Sequence, residues 1–215
     1  MTTRHTHPTL LANMQAEQVI ELLKSTDAIL SGHFQLSSGL HSDTYVQCAL
    51  VLQYPDYAAR LGAALAVQFA ATEIDAVVSP ALGGLIIGQE TARGLSAGKG
   101  TPGGVPAMFV ERDSTGALTL RRGFRVSPGQ RILVVEDVWT TGGSTAEAMR
   151  IIEQHGGRVV GAGAIINRSI GPLHFPVLTK SLVQLQIASY APPDCPQCAA
   201  GNVSVKPGSR FAKPA

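Results

Sequence analysis

Several things are scarce in this 215-residue chain, and each scarcity excludes a class of protein. No apolar stretch reaches about 18 residues, the length from which a membrane-spanning helix becomes a candidate. Charge is sparse and balanced: 17 Lys+Arg stand against 15 Asp+Glu, a formal +2. That balance gives no whole-chain reason to expect nucleic acid. Three cysteines, Cys48, Cys195 and Cys198, are too few and too unevenly placed for a disulfide framework. Residues 1–8 carry Arg4 and two histidines but no apolar core that would make a secretion signal, so they read as a short tail. The expected compartment is the cytoplasm. The phosphate motif GxxxxGK[ST] is missing, and no GxGxxG follows a strand, which argues against an ATPase and a dinucleotide-dependent dehydrogenase. Neither an internal repeat nor a dividing linker interrupts the chain. With 45% hydrophobic residues it can bury a core without crosslinks.

What is present alternates. Residues 13–24 carry Val19, Ile20, Leu22 and Leu23 at helical spacing, with Asn13 as the expected cap. Short extended pieces are expected on either side of the turn SSGLHSD, within residues 28–47. Pro55 suits the first turn of a helix over 55–71. Strands are expected at 76–78, 107–110, 131–135, 158–166 and 182–187, with helices at 83–92 and 142–155 between them. The polar stretch 111–119, with Gly116, is expected to be a mobile loop. Strands alternating with helices predict an α/β fold: a central, mainly parallel sheet flanked by helices on both faces. The tail from Tyr190 is rich in Pro and Gly and is expected to be irregular, frayed over 209–215.

One segment carries chemistry. Residues 131–146, RILVVEDVWTTGGSTA, read as a buried strand, two adjacent carboxylates, a loop of hydroxyls and glycines, and a helix. Ligands of open parallel sheets sit at the carboxyl ends of the strands, where this loop falls. Gly142 and Gly143 let the backbone approach a ligand, and Thr140, Thr141, Ser144 and Thr145 supply hydroxyls. The free amides opening the helix complete a cradle for a phosphate dianion. Glu136 and Asp137, which repel a phosphate, suit sugar hydroxyls instead. A buried strand seldom ends in two acids unless a ligand or solvent satisfies them.

The string VVEDVWTTGGST resembles the phosphoribosyl-pyrophosphate motif of type I phosphoribosyltransferases. The resemblance implies that Glu136 and Asp137 hold the ribose 2- and 3-hydroxyls, and that the segment Val138, Trp139, Thr140, Thr141, Gly142, Gly143, Ser144 encloses the sugar phosphate. Trp139 stands where relatives usually carry a small aliphatic residue. GHFQLSSGLHSDTY, residues 32–45, resembles the small N-terminal hood of orotate phosphoribosyltransferases. SPALGGL, residues 79–85, resembles their pyrophosphate-side loop, with backbone amides at Leu82 and Gly83. Asn167-Arg168 falls where the family uses an arginine for the orotate carboxylate, a pairing that a planar guanidinium makes bidentately. Tyr45 and Thr140 are implied at the orotate as well. The chain departs from many members in two places: Ser37-Ser38 replaces a hood lysine, and the loop VERDSTGALTLRRG lacks Lys and His. It most resembles a shorter bacterial and archaeal branch with an ER…LRRG pattern. Arg112 is the candidate pyrophosphate contact there, while Arg121 and Arg122 read equally as surface charges flanking a strand.

Family membership would imply a type I phosphoribosyltransferase fold in one domain: hood at about 28–50, core at about 55–190, tail at 191–215. It would imply transfer of the ribose phosphate of phosphoribosyl pyrophosphate to orotate, with catalysis by Asp137, Glu136 and Arg112. It would also imply Mg2+ carried on the pyrophosphate without direct protein ligands, and a homodimer. No nucleic-acid or membrane partner is expected. Two readings compete: transfer to another base, and a non-catalytic sensor of phosphoribosyl pyrophosphate. The sensor should carry an added nucleic-acid-binding element, and none is visible.

Cys195-Pro-Gln-Cys198 has the spacing of a zinc knuckle or a thiol–disulfide motif. A structural zinc needs about four ligands, and no second cysteine pair exists. Six scattered histidines do not mark one out in sequence. The expected reading is a tight turn with buried thiols, with a zinc shared across a dimer as the alternative.

Overall fold

The computed structural model describes residues 14–36, 39–97 and 102–207. The first helix, α1 (Ala16–Ser25), buries Val19, Leu22 and Leu23. It starts later than expected because Gln15 caps it, its backbone N–H donating to Gln18 Oε1 at 2.9 Å. Asn13 lies outside the described residues, as do the 1–8 tail, Ser37-Ser38 and the 209–215 end. Next come β1 (Ile29–Gln35) and β2 (His41–Val46), an antiparallel hairpin whose pairing shifts between Ser31 and Phe34. That bulge turns residues 32–33 out of simple alternation. A short α2 (Ala49–Leu52), absent from the sequence reading, leads into α3 (Pro55–Val67). The latter opens on Pro55 as expected but stops before 71, because Phe69 turns into the core at 1% exposure.

The main sheet contains β3 (Ala76–Pro80), β4 (Ala107–Arg112), β5 (Leu118–Leu120), β6 (Arg131–Trp139), β7 (Arg158–Asn167) and β8 (Leu178–Gln184). Its order is β5-β4-β3-β6-β7-β8, parallel throughout except for β5, which runs antiparallel to β4. Helix α4 (Gly84–Ser96) follows β3 and α5 (Gly143–Gln154) follows β6. Strand residues alternate between two cores. Val77, Leu133 and Val135 pack with α1, α3 and α4, while Ala76, Val78, Ile132 and Val134 pack on the α5 side. Each such apolar side chain contributes about 1.5–3 kcal/mol on burial. Both faces are therefore covered, as the continuous apolar strands required.

The stretch 111–119 is corrected from loop to hairpin. Strand β4 runs on through Arg112, a turn is closed by Asp113, and β5 returns with Val110 opposite Leu120 and Arg112 opposite Leu118. Leu118 is buried at 4%, which anchors the return strand. The tail also has structure. A short β9 (Ser189–Tyr190) joins β2 as a third hood strand, and a one-turn α6 (Pro196–Ala199) follows.

Candidate active site

Strand β3 connects through α4 to β4 on one side, whereas β6 connects through α5 to β7 on the other. The carboxyl ends of β3 and β6 thus form the point where the winding reverses, and the connections diverge to leave a crevice. The last β3–β6 partners are Val78 and Val134, but β6 continues alongside β7 as far as Trp139 opposite Asn167. Glu136 and Asp137 therefore lie within the strand, not in the loop after it, on the part of β6 that β3 no longer covers. Glu136 is 8% exposed and Asp137 half-buried. Among the described residues neither has a cationic partner within ion-pair distance. Burial, and then the neighbouring Asp137 carboxylate, push Glu136 up to about 9. Burial also raises Asp137, against bonds from Glu136 and from the Val138 N–H (2.9 Å to Oδ1). Cys48 feels both acids; burial first, then Asp137 and Glu136, keep its thiol neutral. A desolvated acid pair without a counter-charge is arranged for a ligand that brings hydroxyls or a cation.

Beyond Trp139 the chain turns into α5. Gly142 holds φ 75°, a left-handed conformation, and a Cβ there would meet the Phe175 ring at 2.7 Å, so glycine is required twice over. The N-cap Gly142 has no side chain to cap α5, and of the opening amides Gly143 N–H makes only a long bond to Thr141 Oγ1, 3.4 Å. Thr140 and Thr141 are exposed and Ser144 is half-buried, so three of the four expected hydroxyls stay open to solvent. The fourth does not. Thr145 is buried, and its oxygen accepts the Trp139 indole N–H at 2.9 Å. Trp139 itself is 1% exposed and packs against Phe175, so its indole faces the core rather than a ligand. It supports the loop from beneath.

Across the crevice, residues 80–83 run beside the acids. A Cβ on Gly83 would stand 2.6 Å from Asp137 Oδ1, so a larger residue there would have to displace the Asp137 carboxylate. The Ala81–Leu82 peptide is cis, and the Leu82 side chain is 82% exposed at the mouth. Arg168 leaves β7 next to the phosphate loop, its N–H donating to Trp139 O at 2.8 Å. The guanidinium is half-buried, and among the described residues it pairs with no carboxylate. Burial lowers its pKa, and the hood's Tyr45 acts in the opposite sense.

Known proteins fit this geometry. The phosphoribosyl transferase domain pattern matches residues 56–189. The orotate phosphoribosyltransferase of Pelotomaculum thermopropionicum is 48% identical over 197 residues, covering 92% of this chain and 99% of that one. The chain belongs to the orotate phosphoribosyltransferase family. Its Novosphingobium aromaticivorans relative is 47% identical over 204 residues, 94% of this chain and 100% of that one. The solved orotate phosphoribosyltransferase of Aeropyrum pernix superposes with a TM-score of 0.63 at 27% identity, over 78% of this chain and 94% of that one. The fold is the type I phosphoribosyltransferase fold that the motif implied.

Within that family the loop arginines divide. Arg122 is bound bidentately to Glu111 (2.9 and 2.8 Å) and lies over the Phe109 ring, a surface brace on the hairpin. Arg112 donates to the Gly116 carbonyl and, at 3.5 Å, to Glu147 on α5, so here it ties the hairpin to the helix behind the phosphate loop. Glu147 also accepts the Leu118 N–H at 3.0 Å. Sequence gave no sign of this latch. The histidines were equally unmarked: His33 and His41 come together with Cys195 and Cys198, which corrects their reading as scattered.

Proposed function

We propose that the chain transfers the ribose 5-phosphate of phosphoribosyl pyrophosphate to N1 of orotate, releasing pyrophosphate. The observation that carries this reading is the unpaired acid pair at the winding reversal, set between a phosphate cradle and an unpartnered, half-buried Arg168. Glu136 and Asp137 accept hydrogen bonds from the ribose diol. Amides and hydroxyls at 140–144 hold the 5-phosphate, and backbone amides at Leu82 and Gly83 meet the diphosphate. Arg168 holds the orotate carboxylate, with Tyr45 covering the ring from the hood and Thr140 completing that side.

The bond from the anomeric carbon to the diphosphate oxygen breaks as the bond to N1 forms, with positive charge building on the sugar between. The protein supplies position and electrostatics. The N1 proton that this bond displaces goes to the departing pyrophosphate or to solvent, so no general base from the protein is required. A desolvated acid pair without a basic partner also suits a divalent cation held through water, and Mg2+ bound with the diphosphate supplies charge neutralisation on the leaving group. The 111–120 hairpin excludes water when closed, and Arg112, released from Glu147, then faces the pyrophosphate. A homodimer, in which each hairpin reaches the partner's crevice, and a cytoplasmic place in pyrimidine nucleotide synthesis complete the proposal.

The test is orotate consumption followed by ultraviolet absorbance. Loss of the orotate band that needs both phosphoribosyl pyrophosphate and Mg2+ is the expected result. Turnover of adenine, hypoxanthine or uracil instead would overturn the roles given to Tyr45 and Arg168. Tight sugar-diphosphate binding with no turnover on any base would make the chain a sensor.

A further inference from the structure

The hood hairpin and the tail meet at a cluster that the transfer reaction does not use. His33 Nε2, His41 Nδ1 and the sulfurs of Cys195 and Cys198 all lie within 4.8 Å of one another. Three of these residues are buried and Cys198 is half-buried. We propose that these four atoms form a structural zinc site, closed by protein ligands alone, which fastens the C-terminal tail to the hood.

The spacing fits. A tetrahedral ion with bonds of about 2.0–2.1 Å to nitrogen and about 2.3 Å to sulfur sets ligand–ligand edges near 3.3–3.8 Å. The edges here are 2.9 Å between the two nitrogens, 3.2 Å from His41 Nδ1 to Cys198 Sγ, and 3.4 and 3.7 Å from His33 Nε2 to the two sulfurs. Three of these four match within a few tenths of an ångström and the nitrogen pair is contracted; the two remaining edges lie within 4.8 Å.

The hydrogen-bond inventory points the same way. His33 Nδ1 lies 3.0 Å from the Asn202 carbonyl, which can only accept, so that nitrogen carries the proton and Nε2 presents a lone pair to the cluster. One lone pair cannot serve three neighbours in three directions, whereas a cation between them satisfies all four groups. Two thiolates neutralise a dication, leaving no net charge in a buried place. Two nitrogens and two sulfurs at tetrahedral spacing select zinc over the hard cations.

The architecture explains what the ion would do. The β1 bulge aims His33 at the tail, and His41 opens β2 opposite Tyr190 of β9. Cys195 precedes α6 and Cys198 sits one turn later, with Ala199 N–H bonded to the Cys195 carbonyl at 3.1 Å. Over residues 191–207 the only buried side chain is Cys195, while Val203 and Val205 are 87% and 60% exposed. Yet this stretch is ordered against the hood by bonds from Gln35 N–H to Val205 O, Val205 N–H to His33 O, and Gln197 Nε2 to Gly32 O. A segment with no apolar anchor needs another source of stability, and a metal bond set supplies it.

The site is tested on the untagged full chain, independently of which base is transferred. Elemental analysis should find about one zinc per chain, and less than a tenth of that in Cys195→Ser and His33→Gln. Reduced, metal-stripped wild type should bind Co2+ with the intense visible absorption of a tetrahedral thiolate site, a readout that needs no variant to fold. Stripping should lower Tm by roughly 5 °C or more, and zinc should restore it. Metal-free wild type that refuses Co2+, zinc retained in both variants, or a Cys195–Cys198 disulfide in protein purified with zinc present would each overturn the assignment.

Discussion

Two clusters of buried polar groups, one on β6 of the main sheet and one where the hood meets the tail, are built on opposite principles. The acids Glu136 and Asp137 lie adjacent in one strand, repel each other, and have no counter-charge among the described residues. The histidine–cysteine cluster draws its members from residues 33, 41, 195 and 198, whose ligand atoms converge on one point. The first arrangement costs stability until a ligand arrives; the second adds stability once its ion is in place. A desolvated acid pair without a counter-charge marks a place for turnover, whereas desolvated ligand atoms converging on one point mark a fastener.

The sharpest way to break this comparison is Asp137→Asn. It should lower kcat/KM by about 100-fold or more while leaving Tm unchanged or slightly raised, as steady-state kinetics beside a melting curve will show. Near-normal turnover would remove the acids from the site. Arg168→Lys keeps the charge but loses the planar fork, and should weaken orotate utilisation by about 10- to 100-fold with little change in the KM for phosphoribosyl pyrophosphate. Arg112→Ala should reduce kcat by about 10-fold, through a pyrophosphate contact in the closed hairpin. If Arg112 only latches the hairpin to Glu147, the loss will stay near twofold, in keeping with an exposed ion pair.

Glu136→Gln sharpens the stability side. Folding raises the Glu136 pKa from its ordinary 4.5 to about 9, so the fold favours the protonated acid. Its stabilising contribution is full below pH 4.5 and is lost as pH rises toward 9. Glutamine, which cannot ionise, escapes that loss. The variant should therefore be more stable than wild type by about 1–3 kcal/mol at pH 7, with the Tm gap widening between pH 5 and 9. A gap independent of pH would mean that Glu136 titrates normally.

How far each region was legible in sequence follows from how far apart its parts lie. The phosphate cradle is contiguous, so its hydroxyls, glycines and following helix were visible at residues 140–146. The acids were visible too, but their place within β6 was not: pairing of Trp139 with Asn167 depends on β7, two dozen residues on. The hairpin at 111–120 hid behind its polarity, although Leu118 and Leu120 alternate around Thr119 as a strand requires. The partners of CPQC were beyond reach. His33 and His41 sit eight residues apart on antiparallel strands, without knuckle spacing, and some 160 residues before the cysteines they meet. Only the hairpin's register and the return of β9 bring them together.

Trp139 has a practical consequence. It is the chain's sole tryptophan, sealed against Phe175, and its indole N–H is bound to Thr145 in the first turn of α5, beside the proposed phosphate loop. Its emission is therefore a built-in gauge of that loop, with no second fluorophore of its kind to correct for. Any ligand that tightens or loosens residues 140–145 should register as a change in its intensity or wavelength, so that occupancy can be followed in real time without a label.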